Sequence, residues 1–358
     1  MTVAIFSDCG SGSTADVKVS NSNALVPISN LRVARSGHTA TLLPHGKVLI
    51  AGGGKGSDFL ASAELFDPST NTFTQIADMS TKRAGHTATL LRDGKVLIIG
   101  GARNPETNLS SAELFDPATG TFTATGSMGT PRTDHSATML QDGRVLVAGG
   151  SQVWPTPLAS AELYDPRTGR FSPTGNMTGA RRPAGVVLLK DGKVLVSGGT
   201  GDNKTVLASA ELYDPATGVF TPTGNMTVRR NKHAASVLPD GSVLITGGSD
   251  ERDWQNVYQT AEIFDPNKKE FRRTADMRSP HFKHHSVALP DGRIVIVGGS
   301  KLLEIYDPVA KRFTVAGGDL GKAYYFPSAT VLDGGRILIA GGYDEDNATI
   351  NSAWILKT

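Results

Sequence analysis

The stretch Gly85-His86-Thr87-Ala88-Thr89-Leu90-Leu91-Arg92-Asp93-Gly94-Lys95-Val96-Leu97-Ile98-Ile99-Gly100-Gly101 reads as two β-strands and the turn between them. From His86 to Leu91 polar and apolar residues alternate, the pattern of a strand whose two faces meet different surroundings. Asp93-Gly94 is a two-residue hairpin signal, and a type I′ turn there needs positive φ at both positions. Val96 to Ile99 is apolar throughout, as in a strand covered on both faces. Gly100-Gly101 then lets the backbone leave by a route closed to residues with a Cβ.

This unit occurs seven times. Its Gly-Gly pairs stand at 52–53, 100–101, 149–150, 198–199, 247–248, 298–299 and 341–342, spaced by 48, 49, 49, 49, 51 and 43 residues. After each of the first five pairs, beyond a variable segment, comes Ala-Glu-Leu-Phe-Asp-Pro or a close variant, at 63–68, 112–117, 161–166, 210–215 and 261–266. The sixth copy has Leu-Glu-Ile-Tyr-Asp-Pro at 303–308. A short strand such as Thr121-Phe122-Thr123 follows, with Asp-Pro opening the turn and Asn71 or Gly120 at its bulge position. Each repeat therefore predicts four short antiparallel strands. A period near 50 residues with four strands per unit is the signature of a propeller blade.

The apolar-Gly-Gly, Tyr/Phe-Asp-Pro and Arg-x-x-His elements resemble those of kelch repeats, over roughly residues 24 to 357. The resemblance implies an all-β, seven-bladed propeller whose innermost strands begin at His86 and its equivalents. Register predicts how the ring closes. Ser352-Ala353-Trp354-Ile355-Leu356 matches Ser62-Ala63-Glu64-Leu65-Phe66, after which the chain ends without a fourth strand. Ala24-Leu25-Val26 stands 48 residues before Thr72-Phe73-Thr74, so the N-terminal strand is expected to complete the last blade and remove both sheet edges. Residues 24–358 then form one propeller, expected to be a monomer.

The 36 basic and 34 acidic residues leave a net charge of +2, which gives no field pointing to nucleic acid or an anionic membrane. No apolar run is long enough to span a bilayer as a helix. The single cysteine, Cys9, cannot form an internal disulfide, and no Cys/His spacing suggests zinc. Residues 1–23 read as a flexible polar leader or tether. Their apolar start, Cys9 and the Gly-Ser run after it resemble the end of a bacterial lipoprotein signal, which implies a possible lipid anchor at Cys9. Asp8 departs from the small residue expected before such a cysteine. An extracellular, periplasmic or cell-surface location is the expectation, with a cytoplasmic one open.

Arg-x-x-His precedes the inner strand in Arg35/His38, Arg83/His86, Arg132/His135 and Arg230/His233, while Arg181 is followed by Ala184. Copies six and seven read His281/His284 and Tyr324/Pro327. The histidines suggest either a ring of imidazoles at a channel mouth or one structural slot repeated per blade. Every blade with the Arg also carries a strand Glu (Glu64, Glu113, Glu162, Glu211, Glu262), and both are lost together in the seventh, to Tyr324 and Trp354. That joint loss predicts a repeated ion pair. Met79, Met128, Met177, Met226 and Met277, with Leu31 and Leu320 in phase, predict packing between blades.

Function is sought where the repeats disagree, on the face carrying the variable loops and the Arg-x-x-His segments. Only Ser300-Lys301 separates Gly299 from the next strand, so a notch is expected beside His281 and Tyr324. The candidate ligand-binding residues are Arg230, Trp254, Tyr258, His281, Lys283, His284, Tyr324 and Tyr325, with an acidic glycan or a protein as ligand. No cofactor or metal is expected. Some kelch propellers resemble galactose oxidase, a resemblance that implies copper and a cysteine crosslinked to a ligand tyrosine; Cys9 lies outside every blade. A polysaccharide lyase or sugar mutarotase using His281, His284, Tyr324 and Arg230 is the alternative to a binding module.

Overall fold

The computed structural model describes residues 24–153, 156–250 and 256–358, and within them builds seven four-stranded antiparallel sheets arranged as the blades of a β-propeller. Blade 2 shows how the quoted stretch folds. Its inner strand is Thr87–Leu90, one residue later than expected, followed by Val96–Ile99, Ala112–Asp116 and the outer strand Thr121–Ala124. The turn after the inner strand corrects the two-residue reading. Of Asp93 and Gly94 only the glycine takes positive φ (85°), and Leu91 N–H donates to Lys95 O at 2.8 Å. It is a three-residue hairpin ending in a left-handed glycine, because the Asp93 carboxylate accepts the Lys95 N–H (3.1 Å) and holds Asp93 in ordinary φ.

The apolar second strands are buried because each faces two neighbours. Val96 and Ile98 join a cluster with Leu49 and Ala51 of blade 1, whereas Leu97 and Ile99 join Val145 and Val147 of blade 3. Seven such clusters fill the seven boundaries. Met79, Met128, Met177, Met226, Met277, Leu31 and Leu320 fall one to each, as the repeat phase predicts.

The ring closes as register requires. Ala24–Pro27 pairs antiparallel with Ala353–Lys357, with Leu25 opposite Leu356 and Val26 opposite Ile355. The N-terminal strand is thus the outer strand of blade 7. Cys9 and the rest of 1–23, as well as Trp154 and Trp254, lie outside the described residues. No described helix is long and apolar enough to cross a membrane.

Candidate functional site

The repeated polar residues build the frame of the site. Arg83 is fully buried; its Nη2 meets Glu113 Oε1 at 2.7 Å and its Nη1 donates to Gly100 O at 2.8 Å. Arg35–Glu64, Arg132–Glu162, Arg181–Glu211 and Arg230–Glu262 repeat the pair at 2.8, 2.9, 2.7 and 2.8 Å. Burial draws the arginine pKa values down, and the facing Glu opposes that shift. The same Glu113 also accepts the Ser80 N–H (2.8 Å), so each pair ties the chain that enters a blade to that blade's third strand. In blade 6 His281 takes the Arg position. Its Nε2 lies 3.1 Å from Glu304 and its Nδ1 2.7 Å from Gly298 O; burial pushes the Glu304 carboxyl up, but His281 and the N–H groups of Arg278 and Ser279 outweigh it and hold Glu304 below its usual range. In blade 7 Tyr324 and Trp354 replace the pair by ring contact, with centroids 5.3 Å apart.

The histidines occupy slots between blades. Nε2 of His38, His86 and His135 lies 2.9–3.0 Å from Ser328, Thr39 and Thr87, the first inner-strand residue of the preceding blade. Blades 4 and 5 have Gly185 and Ala234 at that position, without a hydroxyl. There His233 and His284 reach Ser197 (3.2 Å) and Thr246 (3.0 Å) instead. Ser197 and Thr246 are the cross-strand partners of Gly185 and Ala234, so the hydroxyl has moved across the register pair while the bond survived. Gly-Gly is the socket for this bracket. A Cβ on Gly100 (φ 59°) would sit 2.6 Å from Arg132 O and 2.9 Å from His135 Cε1; one on Gly101 (φ 85°) would sit 2.7 Å from Ala84 O. Enclosure keeps the imidazoles neutral: desolvation, with a smaller push from the adjacent arginine, lowers His38, His135 and His233 to about 3.

Just before each histidine slot, six residues share left-handed backbone: Gly37, Gly85, Asp134, Lys232, Lys283 and Phe326, with φ from 50° to 63°. Blade 4 has Pro183 there. Their peptide groups link around the channel mouth as a collar. Gly85 N–H donates to Gly37 O (3.3 Å) and Asp134 N–H to Gly85 O (3.0 Å); Lys283 N–H donates to Lys232 O (3.1 Å) and Phe326 N–H to Lys283 O (2.8 Å). Pro183, with no N–H, separates the two arcs. On that side the mouth holds a hollow of about 590 Å³, lined among others by Asp134, Arg182, Lys232, Lys283, His285 and Phe326. Three of these carry basic side chains, Asp134 is the one carboxylate among the described lining residues, and Arg182 Nη1 stands 3.8 Å from Asp134 Oδ2.

Beside it lies the expected notch, a hollow of about 540 Å³ at Ser300-Lys301, lined also by Val257, Phe282, Lys322, Tyr325 and Glu345. A small apolar cluster unlike the seven between blades, Phe282, Ala323 and Tyr325 with Val257 and Tyr343 against it, borders this notch. Lys283 Nζ sits 5.0 Å from the Phe282 ring centroid and 5.6 Å from that of Tyr343, whose hydroxyl it meets at 2.9 Å. One aromatic layer therefore stands between the two hollows.

The structure distributes the residues chosen from sequence. Lys283 and His284 line the mouth and Tyr325 the notch. Tyr258 borders a third hollow of about 410 Å³, with Arg230 Cζ 5.4 Å from its ring. Arg230 and His281 are fully buried in the frame, and Tyr324 packs on Trp354, so neither the notch nor the mouth is lined by these three. Their placement is a correction: the loss of the Arg in blades 6 and 7 changes the partner within a structural slot. Asp134, Lys232 and Phe326 were legible only as variation at one position, Gly, Gly, Asp, Pro, Lys, Lys, Phe around the ring.

Comparison with known proteins agrees with this architecture. The Kelch motif model matches residues 34–80, 83–129 and 131–178. Those matches, together with the seven blades, fit the kelch-repeat β-propeller family. Among curated proteins none matches it. Among solved structures it is similar to a protein described as "Novel fungal alcohol oxidase with catalytic diversity among the AA5 family, in complex with copper". The TM-score is 0.77 at 17% identity, over 94% of this chain and 76% of that one, a likeness of fold. Among the described residues no three His, Cys, Asp or Glu side chains converge to hold a metal, and the mouth histidines are kept apart at successive blade boundaries. This donor set does not fit a copper centre.

Proposed function

We propose that the chain is a binding module that holds an acidic ligand, a glycan or a stretch of protein, over the channel mouth on the side of blades 4 to 7. The observation that carries this reading is the hollow where Arg182, Lys232 and Lys283 converge, with Asp134 the one carboxylate among its described lining residues. Basic side chains gathered in a cleft focus their field on an anion that approaches it. Exposed Phe326 adds an apolar face beside those cations. The test is calorimetric titration of acidic oligosaccharides and acidic peptides at two salt concentrations. Affinity for one class that falls as salt rises supports the proposal. Equal affinity for neutral ligands of the same length refutes it.

A catalytic reading, of the lyase or mutarotase kind, rests on one contact: Lys283 Nζ donates to the Tyr343 hydroxyl at 2.9 Å, which sets an ammonium donor beside a hydroxyl able to exchange a proton with substrate. Incubating any glycan that binds and looking for new reducing ends, unsaturated products or changed anomer ratio separates turnover from binding.

A further inference from the structure

We infer that the collar positions of blades 5 and 7, Lys232 and Phe326, are the specificity-determining contacts of the mouth, and that they select an acidic sugar by pairing its anionic group with Lys232 and stacking its ring on Phe326. This rests on the binding reading above and names the residues and ligand class within it.

Backbone comes first. The collar's hydrogen bonds require left-handed conformation, and glycine meets that requirement without steric penalty, as Gly37 and Gly85 do on the far side of the ring. Lys232 (φ 54°) and Phe326 (φ 50°) adopt the same conformation with full side chains. For a bulky aromatic residue this is an outlier, and such strain persists where something other than local backbone preference keeps the side chain. Left-handed lysine alone does not mark a site, since Lys269 (φ 58°) occupies a hairpin turn where other blades have Gly120, Gly169 or Gly218. The mouth differs from that turn in convergence. Lys232 and Phe326 line one hollow with Arg182, and both are joined through Lys283 by consecutive collar hydrogen bonds. A side-by-side cation and exposed aromatic face suit a pyranose that carries a carboxylate or sulfate, which presents apolar C–H groups on its ring and charge at its edge. An acidic peptide offers the charge without the rigid apolar ring.

The experiment uses the full chain with heparin hexasaccharide, hexagalacturonate and hexaglutamate as probes, and the variants Lys232→Gly, Phe326→Gly and Lys269→Gly. Each glycine relieves left-handed strain, so all three variants should melt at or about 1–2 °C above the parent. Lys232→Gly and Phe326→Gly should weaken binding of a hexasaccharide by about tenfold or more, whereas Lys269→Gly leaves it unchanged. Parent-like affinity in both mouth variants overturns the assignment while leaving a loop-face binding module standing. Hexaglutamate bound as tightly as either sugar overturns the glycan class. If the parent binds none of the three probes, both the assignment and the functional reading fall.

Discussion

At the scale of single residues, the chain separates groups that hold the ring from groups that face ligand by what surrounds each one. Arg83 has no exposed surface and its carboxylate partner Glu113 is buried with it. Arg83→Ala should therefore cost about 3–5 kcal/mol, because it leaves a buried carboxylate without its cation. Urea denaturation measures this directly, and a loss under 1 kcal/mol would show that the pair is dispensable. The migrating hydroxyl allows a finer test. Thr246→Val removes the bond to His284 and should cost about 1–2 kcal/mol; adding Ala234→Ser, which restores a hydroxyl where blades 1 to 3 carry one, should recover part of it. Recovery that is absent in the double variant would mean that the histidine is held by packing alone.

At the scale of elements, the strand Ala24–Pro27 has the largest consequence for its length. Four residues pair with Ala353–Lys357 and complete a sheet whose other three strands come from the opposite end of the chain. A chain that begins at Leu31 loses that strand and exposes the unpaired edge of Ala353–Lys357. It should unfold at a clearly lower temperature and associate on warming. An unchanged melting temperature would show that closure depends on blade packing rather than on this pairing. The short loop at Ser300-Lys301 acts at the same scale. By leaving out a loop it opens the notch to Phe282 and Tyr325 instead of adding contacts there.

For the molecule as a whole, burying histidines around the ring ties stability to pH. His38, His135 and His233 are lowered to about 3, and His86 and His284 lie well below the ordinary value of 6.5. A histidine depressed in the fold binds its proton only when unfolded. Between about pH 6.5 and 3 the unfolded chain takes up protons that the ring refuses, so stability falls as the pH falls through that window. Depression of Glu304 acts in the same direction at the acid end. The slope of stability against pH should approach five protons, and His135→Gln should lower it by about one. A slope of one proton or less in the parent would mean that these imidazoles titrate as freely as exposed ones.

How much of this was legible follows from which interactions are local. Strand alternation, turn residues and the period of the Gly-Gly pairs are fixed by neighbours in sequence, and seven copies in phase determined the blades, the closure and the Arg–Glu pairs. The same repetition pointed to His281 and Tyr324 as departures worth attention. Tertiary structure turned them inward: a residue that breaks a sequence pattern still fills the slot its backbone position gives it, here against Glu304 and Trp354. Sequence could not show that the position before each histidine is left-handed, because that conformation comes from hydrogen bonds between residues about 50 apart, from one blade to the next. Those bonds aim Lys232, Lys283 and Phe326 at the channel mouth, and only a closed ring brings five separate repeats to one hollow.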